Sequence, residues 1–339
     1  MVEVEVVTLA DSVRSWLSRL VGRPPARQDR GVTSLEFGIN LFGVDSSTEF
    51  VSLVARAEDL GYDVFAAPDH LGAMAPFSAL VVAGAVSSRL RLRTYVLDVG
   101  FWNPALLARE VATADLLTGG RVELGLGAGH MRSEHDDAGL AWPTHPERVQ
   151  ALTDTVVEVR RRLADPDHRP RPAQDPVPIM IGAMSGRALE VAARHADIVG
   201  LAGLRQVTGA EPGTFTVVTA EQTDQRVAEV RERAAGRPQR TDLLLQAVCI
   251  GPDPERSAAE LAAQAPGRLT AEQLLDTPFV LLAPDTESAV VELERRRRRW
   301  GLTSVTTHQP HLEALGQVLA AYRSHARHGA EQSPDGHGR

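Results

Sequence analysis

The sequence predicts one large α/β domain built as a (β/α)8 TIM barrel. Three observations point there. Short apolar runs of strand type alternate with helical runs eight times between residues 35 and 325. The fourth strand run, Val122–Leu126, enters a glycine-rich turn (Gly125, Gly127, Gly129) and then a cluster of polar side chains. Barrel enzymes keep their chemistry at such strand exits. The first strand-to-helix turn, Leu41–Ser47, has one glycine and no GxGxxG fingerprint. An open dinucleotide-binding sheet would show the same alternation but would carry that fingerprint.

Residues 1–34 read as an N-terminal extension. Val13, Trp16, Leu17 and Leu20 share one face of a short helix, which Pro24, Pro25 and a polar run then end. Its expected use is docking on the main body or on a second subunit. Leu35–Leu41 is the first strand. Ser47 or Thr48 caps a helix with apolar residues Val51, Val54, Ala55 and Leu60, and Gly61 ends it. Asp63–Ala67 is the second strand and runs into Pro68, Asp69 and His70. Pro76–Ser87 is helical, Leu90–Asp98 is the third strand, and Gly100–Asn103 is its exit loop. Pro104 opens a helix that Gly119 and Gly120 terminate.

After the fourth strand, Val149, Leu152, Val156, Val159 and Leu163 form one apolar stripe on a helix from about Pro146 to Leu163. A proline-rich connector leads to the fifth strand, Val177–Ile181. A helix from Ser185 or Gly186 to Arg194 and the sixth strand, Ala196–Gly200, follow. The glycine-rich stretch Leu201–Ala220 reads as a lid or insertion over the active face. Beyond the helix Glu221–Ala235, the seventh strand is Leu243–Ile250. Two short helices and a further apolar run, Phe279–Leu282, form an insertion near it. In the helix Thr286–Trp300, Arg295–Arg299 face Glu287, Glu292 and Glu294, as a solvated helix end favoured by the macrodipole. Leu302–Thr307 is the eighth strand and His311–Arg323 the last helix; residues 326–339 are expected to be a disordered polar tail.

With 43% hydrophobic residues the chain can bury a sizeable core. Its net charge of −8 argues against nucleic acid or an anionic membrane as partner. The single cysteine, Cys249, excludes an internal disulfide framework and fits a reducing cytoplasm; in its apolar run it reads as core filler. No run reaches the roughly 18 apolar residues of a membrane span. The start, MVEVEVV, lacks the basic and apolar regions of a secretion signal. A cytoplasmic protein acting on a small molecule is expected.

In a barrel the strand ends share one pocket. Here they bring Asn40 and Phe42, Asp69 and His70, Asp98, Phe101, Trp102 and Asn103, Gly127–Glu134, Gly182–Arg187, and Gly200–Gly203. His70 is a candidate for proton transfer, because imidazole exchanges protons near neutral pH. The alternative is a structural histidine held by Asp69 or a backbone carbonyl. His130 carries the same two readings. Glu134 and Asp136 read as loop carboxylates, and Trp102 either stacks on a planar ring or walls the pocket. Gly182, Ala183, Met184, Ser185, Gly186 and Arg187 lie between a strand and a helix start. Small residues there expose N–H groups to a phosphate, and Ser185 and Arg187 add contacts. Asp69, His70, His130 and Asp197 are the only metal set to weigh. The first strand lacks the histidine such sites use, so no metal is expected. A GxSxG nucleophile elbow is absent.

Four stretches carry a resemblance: FGINLF (37–42), AAPDHL (66–71), RTYVLDVGFWNPALLAREVATADLLTGGRVELGLGAG (93–129) and PVPIMIGAMSGRALEVAARHADIVGL (176–201). Together they resemble the bacterial luciferase-like family of flavin- and deazaflavin-dependent oxidoreductases, and within it the branch that uses coenzyme F420, a deazaflavin. The resemblance spans residues 35–325. It implies a barrel with an insertion near strand 7, a homodimer, and a cofactor across the carboxyl face with its phosphate in the strand 5–6 region. By position, His70 matches the histidine that faces the reacting ring. His130 matches a site where the deazaflavin dehydrogenases place a carboxylate and related reductases tryptophan. Val96, Leu97 and Asp98 match a segment that often holds a cis peptide behind the ring. The strand 5 loop reads GAMSGR rather than a double-glycine form. On this reading Asp69, Val96, Leu97, Asp98, Asn103, Gly127, Ala128, Gly129 and Gly182–Arg187 contact the cofactor, and Asn40, Phe42, Trp102 and Glu134 line the substrate. The implied activity is F420-dependent hydride transfer to or from a C=C, C=N or alcohol of a small organic molecule, in specialised metabolism. An FMN-dependent monooxygenase of the same fold is the alternative, and a barrel that has lost redox catalysis is the third.

Overall fold

The computed structural model describes residues 35–183, 186–207, 215–264 and 269–331. The expectations for residues 1–34, for Met184 and Ser185, and for 332–339 lie outside that set.

Thirteen strands are present among the described residues: β1 Glu36–Asn40, β2 Val64–Ala67, β3 Arg91–Thr94, β4 Leu97–Asp98, β5 Val122–Gly127, β6 Ile179–Ala183, β7 Ile198–Leu201, β8 Leu204–Gln206, β9 Phe215–Val217, β10 Arg240–Leu245, β11 Ala247–Ile250, β12 Val280–Ala283 and β13 Ser304–His308. The order β3-β2-β1-β13-β10-β7-β6-β5, with β5 pairing back on β3, closes an all-parallel barrel of eight strand positions. The predicted fold class is the observed one.

Two predicted strands are each broken in two. The third breaks after Thr94, and its remainder, β4, pairs with the carboxyl end of β5. The seventh breaks at Gln246, whose N–H donates to the Phe279 carbonyl at 2.7 Å. Its second half, β11, leaves the barrel and pairs with β12 in a separate sheet. The insertion near strand 7 is this sheet with its helices Pro254–Gln264 and Ala271–Asp276. An antiparallel pair, β8 with β9, lies within the stretch read as a lid.

Strand alternation divides the side chains into two sets. Phe37, Ile39, Leu92, Val122, Leu124, Leu126, Ile179, Ile181 and Val305 join the apolar shell under the helices. Their neighbours turn into the barrel, and many are charged. Arg93, fully buried, donates Nε to Glu123 at 2.7 Å and Nη1 to Asp242 at 3.1 Å. Glu123 also pairs with Arg91 and Arg240, each at 2.7 Å. Asp242 further accepts from the Tyr95 hydroxyl at 2.6 Å and from Thr306 Oγ1 at 2.9 Å. Burial alone would raise the pKa of Glu123, but Arg93, Arg91 and Arg240 hold it well below the usual carboxylate range. A buried charge cluster is tolerable when each charge is paired and hydrogen-bonded. This one plugs the barrel interior, so a ligand has only the carboxyl half to enter. The sequence signal is a charge at alternate positions of apolar strands, as in RLR (91–93) and RTD (240–242).

Three helical details differ from expectation. Arg296 is buried rather than solvated: its guanidinium donates to Glu292 and to the Pro278 and Val280 carbonyls, which binds the insertion to the helix Thr286–Trp300. Arg299 reaches Asp224 on another helix. The last helix, Leu312–Glu331, runs past Arg323 and into the residues expected to form a tail. Among the described residues no helix is long and apolar enough to cross a membrane.

Candidate active site

The carboxyl ends of the strands open on a mouth floored by glycine. Gly127 ends β5, and Gly182 of β6 stands beside Gly200 of β7 in register. The Val96 side chain covers the first two: a β-carbon on Gly127 would lie 2.8 Å from its Cγ2, and one on Gly182 3.2 Å. The Met180 methyl fills the space that a side chain at Gly200 would need. The Tyr95–Val96 peptide is cis, in the segment where the resemblance implies one. Gly127, Gly182 and Gly200 let the Val96 and Met180 side chains pack directly on the strand backbones.

Aromatic and titratable groups ring this floor. His70 Nδ1 lies 2.9 Å from Glu134 Oε1 and 3.2 Å from Oε2. A carboxylate only accepts, so Nδ1 carries the hydrogen and Nε2 is left for proton exchange. Phe42 stacks on His70, centroids 5.9 Å apart and planes 8° from parallel. His130 meets His70 edge-on at 5.4 Å. Burial, then the nearby His70, lowers the pKa of His130, so its ring is neutral at pH 7.

Burial pushes His308 down to about 4. Its Nε2 lies 3.3 Å from Gln246 Oε1 and its Nδ1 3.4 Å from Asn40 Nδ2. A neutral ring satisfies both neighbours only if Nε2 donates to Gln246 and Nδ1 accepts from Asn40. That fixes the Asn40 amide and leaves its Oδ1 buried with no hydrogen-bond partner. Such an orphan acceptor costs about 1–3 kcal/mol. At a barrel mouth it is an acceptor ready for a ligand N–H or O–H.

Asp69 Oδ2 accepts from Trp102 Nε1 at 2.8 Å and from the Asp98 N–H at 3.2 Å. Burial raises the Asp69 pKa, and the Trp102 hydrogen bond opposes that. Trp102 also packs edge-on against Phe77, so it is a wall rather than a free stacking surface. A cleft of about 320 Å³ beside His70 is lined in part by Asp69, Met74, Phe77, Trp102 and Glu110. Gly129 has φ +75°, and a β-carbon there would overlap the Asp98 carboxylate. Only glycine fits that turn without strain.

Several predicted site residues sit elsewhere or are already engaged. The Leu97 and Ala183 side chains belong to the apolar shell, which leaves only their backbone to the mouth. Asn103 is exposed, and its side-chain oxygen caps the helix Pro104–Leu117 through the Ala105 and Leu106 N–H groups. Asp197 lies at the amino end of β7, bound to Arg160 and the Ile179 N–H, far from a strand exit. Asp136 pairs with Arg132 as an exposed carboxylate. Gly186 opens the helix Gly186–His195 and Arg187 is exposed beside it. Arg148 donates to the Ala128 carbonyl at 3.2 Å. Burial, then Arg148 and Arg187, lowers the pKa of His145, a sign of the positive surroundings there.

Glu134, read as a loop carboxylate and substrate contact, is hydrogen-bonded to His70. Gln246 and His308 are not legible in the sequence: the apolar pattern ends the eighth strand at Thr307, one residue short of His308, and runs the seventh unbroken through Gln246.

Comparison with known proteins agrees with this architecture. A family profile described as Luciferase-like monooxygenase matches residues 24–333. The chain is 29% identical over 297 residues to an F420-dependent glucose-6-phosphate dehydrogenase of Kribbella flavida, which covers 78% of this chain and 85% of the relative. One from Microbacterium testaceum is 29% identical over 274 residues, 74% and 76% of the two chains. The coenzyme F420 dependent tetrahydromethanopterin reductase from Methanopyrus kandleri superposes with a TM-score of 0.67 at 20% identity, over 86% of this chain and all of that one. An F420-dependent secondary alcohol dehydrogenase does so at 0.68 and 16% identity, with the same coverage. The extent of the profile match shows that this chain belongs to the luciferase-like monooxygenase family.

Proposed function

We propose that the protein is an F420-dependent oxidoreductase that moves a hydride between the deazaflavin and a C=C, C=N or alcohol of a small organic substrate. The relatives named above for that cofactor support the choice of F420. The observation that carries the chemistry is the 2.9 Å hydrogen bond from His70 to Glu134, at the edge of a glycine-floored mouth. The site's residues fit such a group: Val96, seated on Gly127 and Gly182, offers an apolar surface for a ring, and the Asn40 Oδ1 lacks a donor.

Bound there, F420 supplies the two-electron hydride chemistry. Val96, packed on Gly127 and Gly182, backs the ring, and Asn40 accepts from an N–H or O–H at its edge. The helix N-terminus at Gly186, with Arg187, holds a phosphate. His70, oriented by Glu134, gives or takes through Nε2 the proton that accompanies the hydride. His130 is neutral and makes the surroundings less polar without adding charge. Val82 and Val86 on the helix Pro76–Val86, and Leu106, Leu116 and Leu117 on the helix Pro104–Leu117 packed beside it, are exposed apolar residues. Such a face supports homodimerisation; light scattering of Leu117→Glu against the parent protein tests it.

The functional test is turnover. Secondary alcohols and glucose 6-phosphate are offered with F420, and cyclic enones and imines with reduced F420, while the deazaflavin absorbance is followed. Turnover that falls about 100-fold in His70→Ala with F420 binding retained supports the proposal. Oxygen uptake with reduced FMN alone would move the protein to the monooxygenases. Turnover with neither cofactor would leave a non-redox barrel.

A further inference from the structure

We infer that His135 is the positioning residue of this site: from within the core it holds the short helix that presents Glu134 to His70, and it ties that helix to the Asp98 loop. The inference rests on the reading of His70 as proton carrier.

The helix Arg132–Asp137 has six residues and no side-chain N-cap hydrogen bond. Isolated helices of that length do not persist in water. His135 is its one buried residue, 1% exposed. The imidazole is clamped at both nitrogens. Nδ1 lies 2.9 Å from the Ala141 carbonyl oxygen, and Nε2 3.0 Å from Asp98 Oδ2. The Ala141 carbonyl can only accept, so Nδ1 carries hydrogen, and a second hydrogen bond joins Nε2 to the Asp98 carboxyl group. Phe101 at 4.9 Å and Trp142 at 4.8 Å enclose the ring.

Consecutive helix positions point about 100° apart. With His135 locked inward, Glu134 is turned toward the mouth, where it meets His70. The same lock reaches the other loop. Asp98 Oδ1 accepts from the Gly100 N–H at 2.8 Å, and the Asp98 N–H donates to Asp69, the neighbour of His70. The charged groups facing the clamp are Asp98 itself and, across Trp142, Arg148, whose guanidinium lies 3.7 Å over that ring. A single His–Asp contact therefore joins the loops that follow β4 and β5, and both border the glycine floor.

The test reads the His70 tautomer by histidine-labelled nitrogen NMR on the full chain without cofactor. Wild type is expected to show hydrogen on Nδ1 of both His70 and His135. His135→Phe keeps a ring between Phe101 and Trp142 but removes both hydrogen bonds. It is expected to abolish the Nδ1 preference of His70 as Glu134→Gln does, and the double variant is expected to match either single one. In turnover with F420, each variant is expected to lower kcat by the same factor, about 10- to 100-fold, and combining them adds nothing. A His70 that keeps its tautomer in His135→Phe, or losses that multiply in the double variant, overturns the inference. So does a wild-type His135 without hydrogen on Nδ1, a result that needs no variant to fold. Because the spectra need no cofactor, a protein that shows the coupling yet binds no F420 contradicts the functional proposal and leaves this one standing.

Discussion

His70 and Glu134 share a hydrogen bond across 64 residues of sequence, the first from the loop after β2 and the second from the short helix after β5. The bond sets which imidazole nitrogen carries hydrogen. Glu134→Gln keeps the shape but can donate instead of only accepting. It is expected to lower kcat by roughly tenfold or more, because a positioned acid or base is worth 100-fold or more. F420 affinity is expected to stay within about twofold. Steady-state kinetics beside a fluorescence titration separate the two effects.

Asn40 predicts a loss confined to binding. Asn40→Leu removes a buried acceptor that has no donor and also removes the donor to His308 Nδ1, so the two effects oppose and urea stability is expected to stay within ~1 kcal/mol of the parent. The same change is expected to weaken ligand binding about tenfold, the worth of one hydrogen bond lost to a bound group. An affinity that does not move would remove Asn40 from the site.

Two glycines predict different failures. Gly129→Ala forces a side chain into φ +75° and against the Asp98 carboxylate, and is expected to cost ~1–3 kcal/mol of stability. Gly182→Val crowds Val96 at the floor, where a β-carbon would already lie 3.2 Å away. It is expected to fold, with a smaller loss of stability, and to lose cofactor affinity. Thermal unfolding and a binding titration on both variants check the contrast.

His308 predicts a pH dependence with a definite sign. Its folded pKa is about 4, against 6.5 for an ordinary solvent-exposed histidine. Between those values the unfolded chain takes up the proton first. Stability therefore falls as pH is lowered from 6.5 toward 4, by at most ~1.4 kcal/mol per pH unit from this residue. His308→Gln is expected to flatten that part of the profile. Urea midpoints at pH 7.5, 5.5 and 4.5 read it.

The interior charge cluster predicts a large structural effect. Asp242→Ala takes the acceptor from Arg93 Nη1 and from the Tyr95 hydroxyl inside the barrel, while Glu123 still holds Arg93 Nε. Breaking one side of a buried pair costs about 3–5 kcal/mol. The loss is expected in denaturant unfolding, and a change below ~1 kcal/mol would mean that water replaces the carboxylate.

The barrel was legible because its signals are local. Apolar runs, Pro104 at a helix start and Gly61 at a helix end report on their own neighbourhoods. His70 and His130 were legible as candidates because strand exits of a barrel converge. The rest depended on distant pairings. Glu134 looked like any loop carboxylate, since its partner lies 64 residues away. His308 and Gln246 became visible only once β13 was extended by a residue and the seventh strand was broken. Arg296 followed the same logic in reverse: five successive arginines suggest a solvated end, but helical geometry turns one of them inward onto the insertion.

F420 dependence is tested most directly by a titration of the purified protein with coenzyme F420 and with FMN, oxidised and reduced, followed by fluorescence and absorbance. Saturable binding of F420, weaker or absent binding of FMN, and loss of F420 binding in Gly182→Val are what an F420-dependent site predicts. Preference for FMN, or F420 binding that Gly182→Val leaves unchanged, would contradict it.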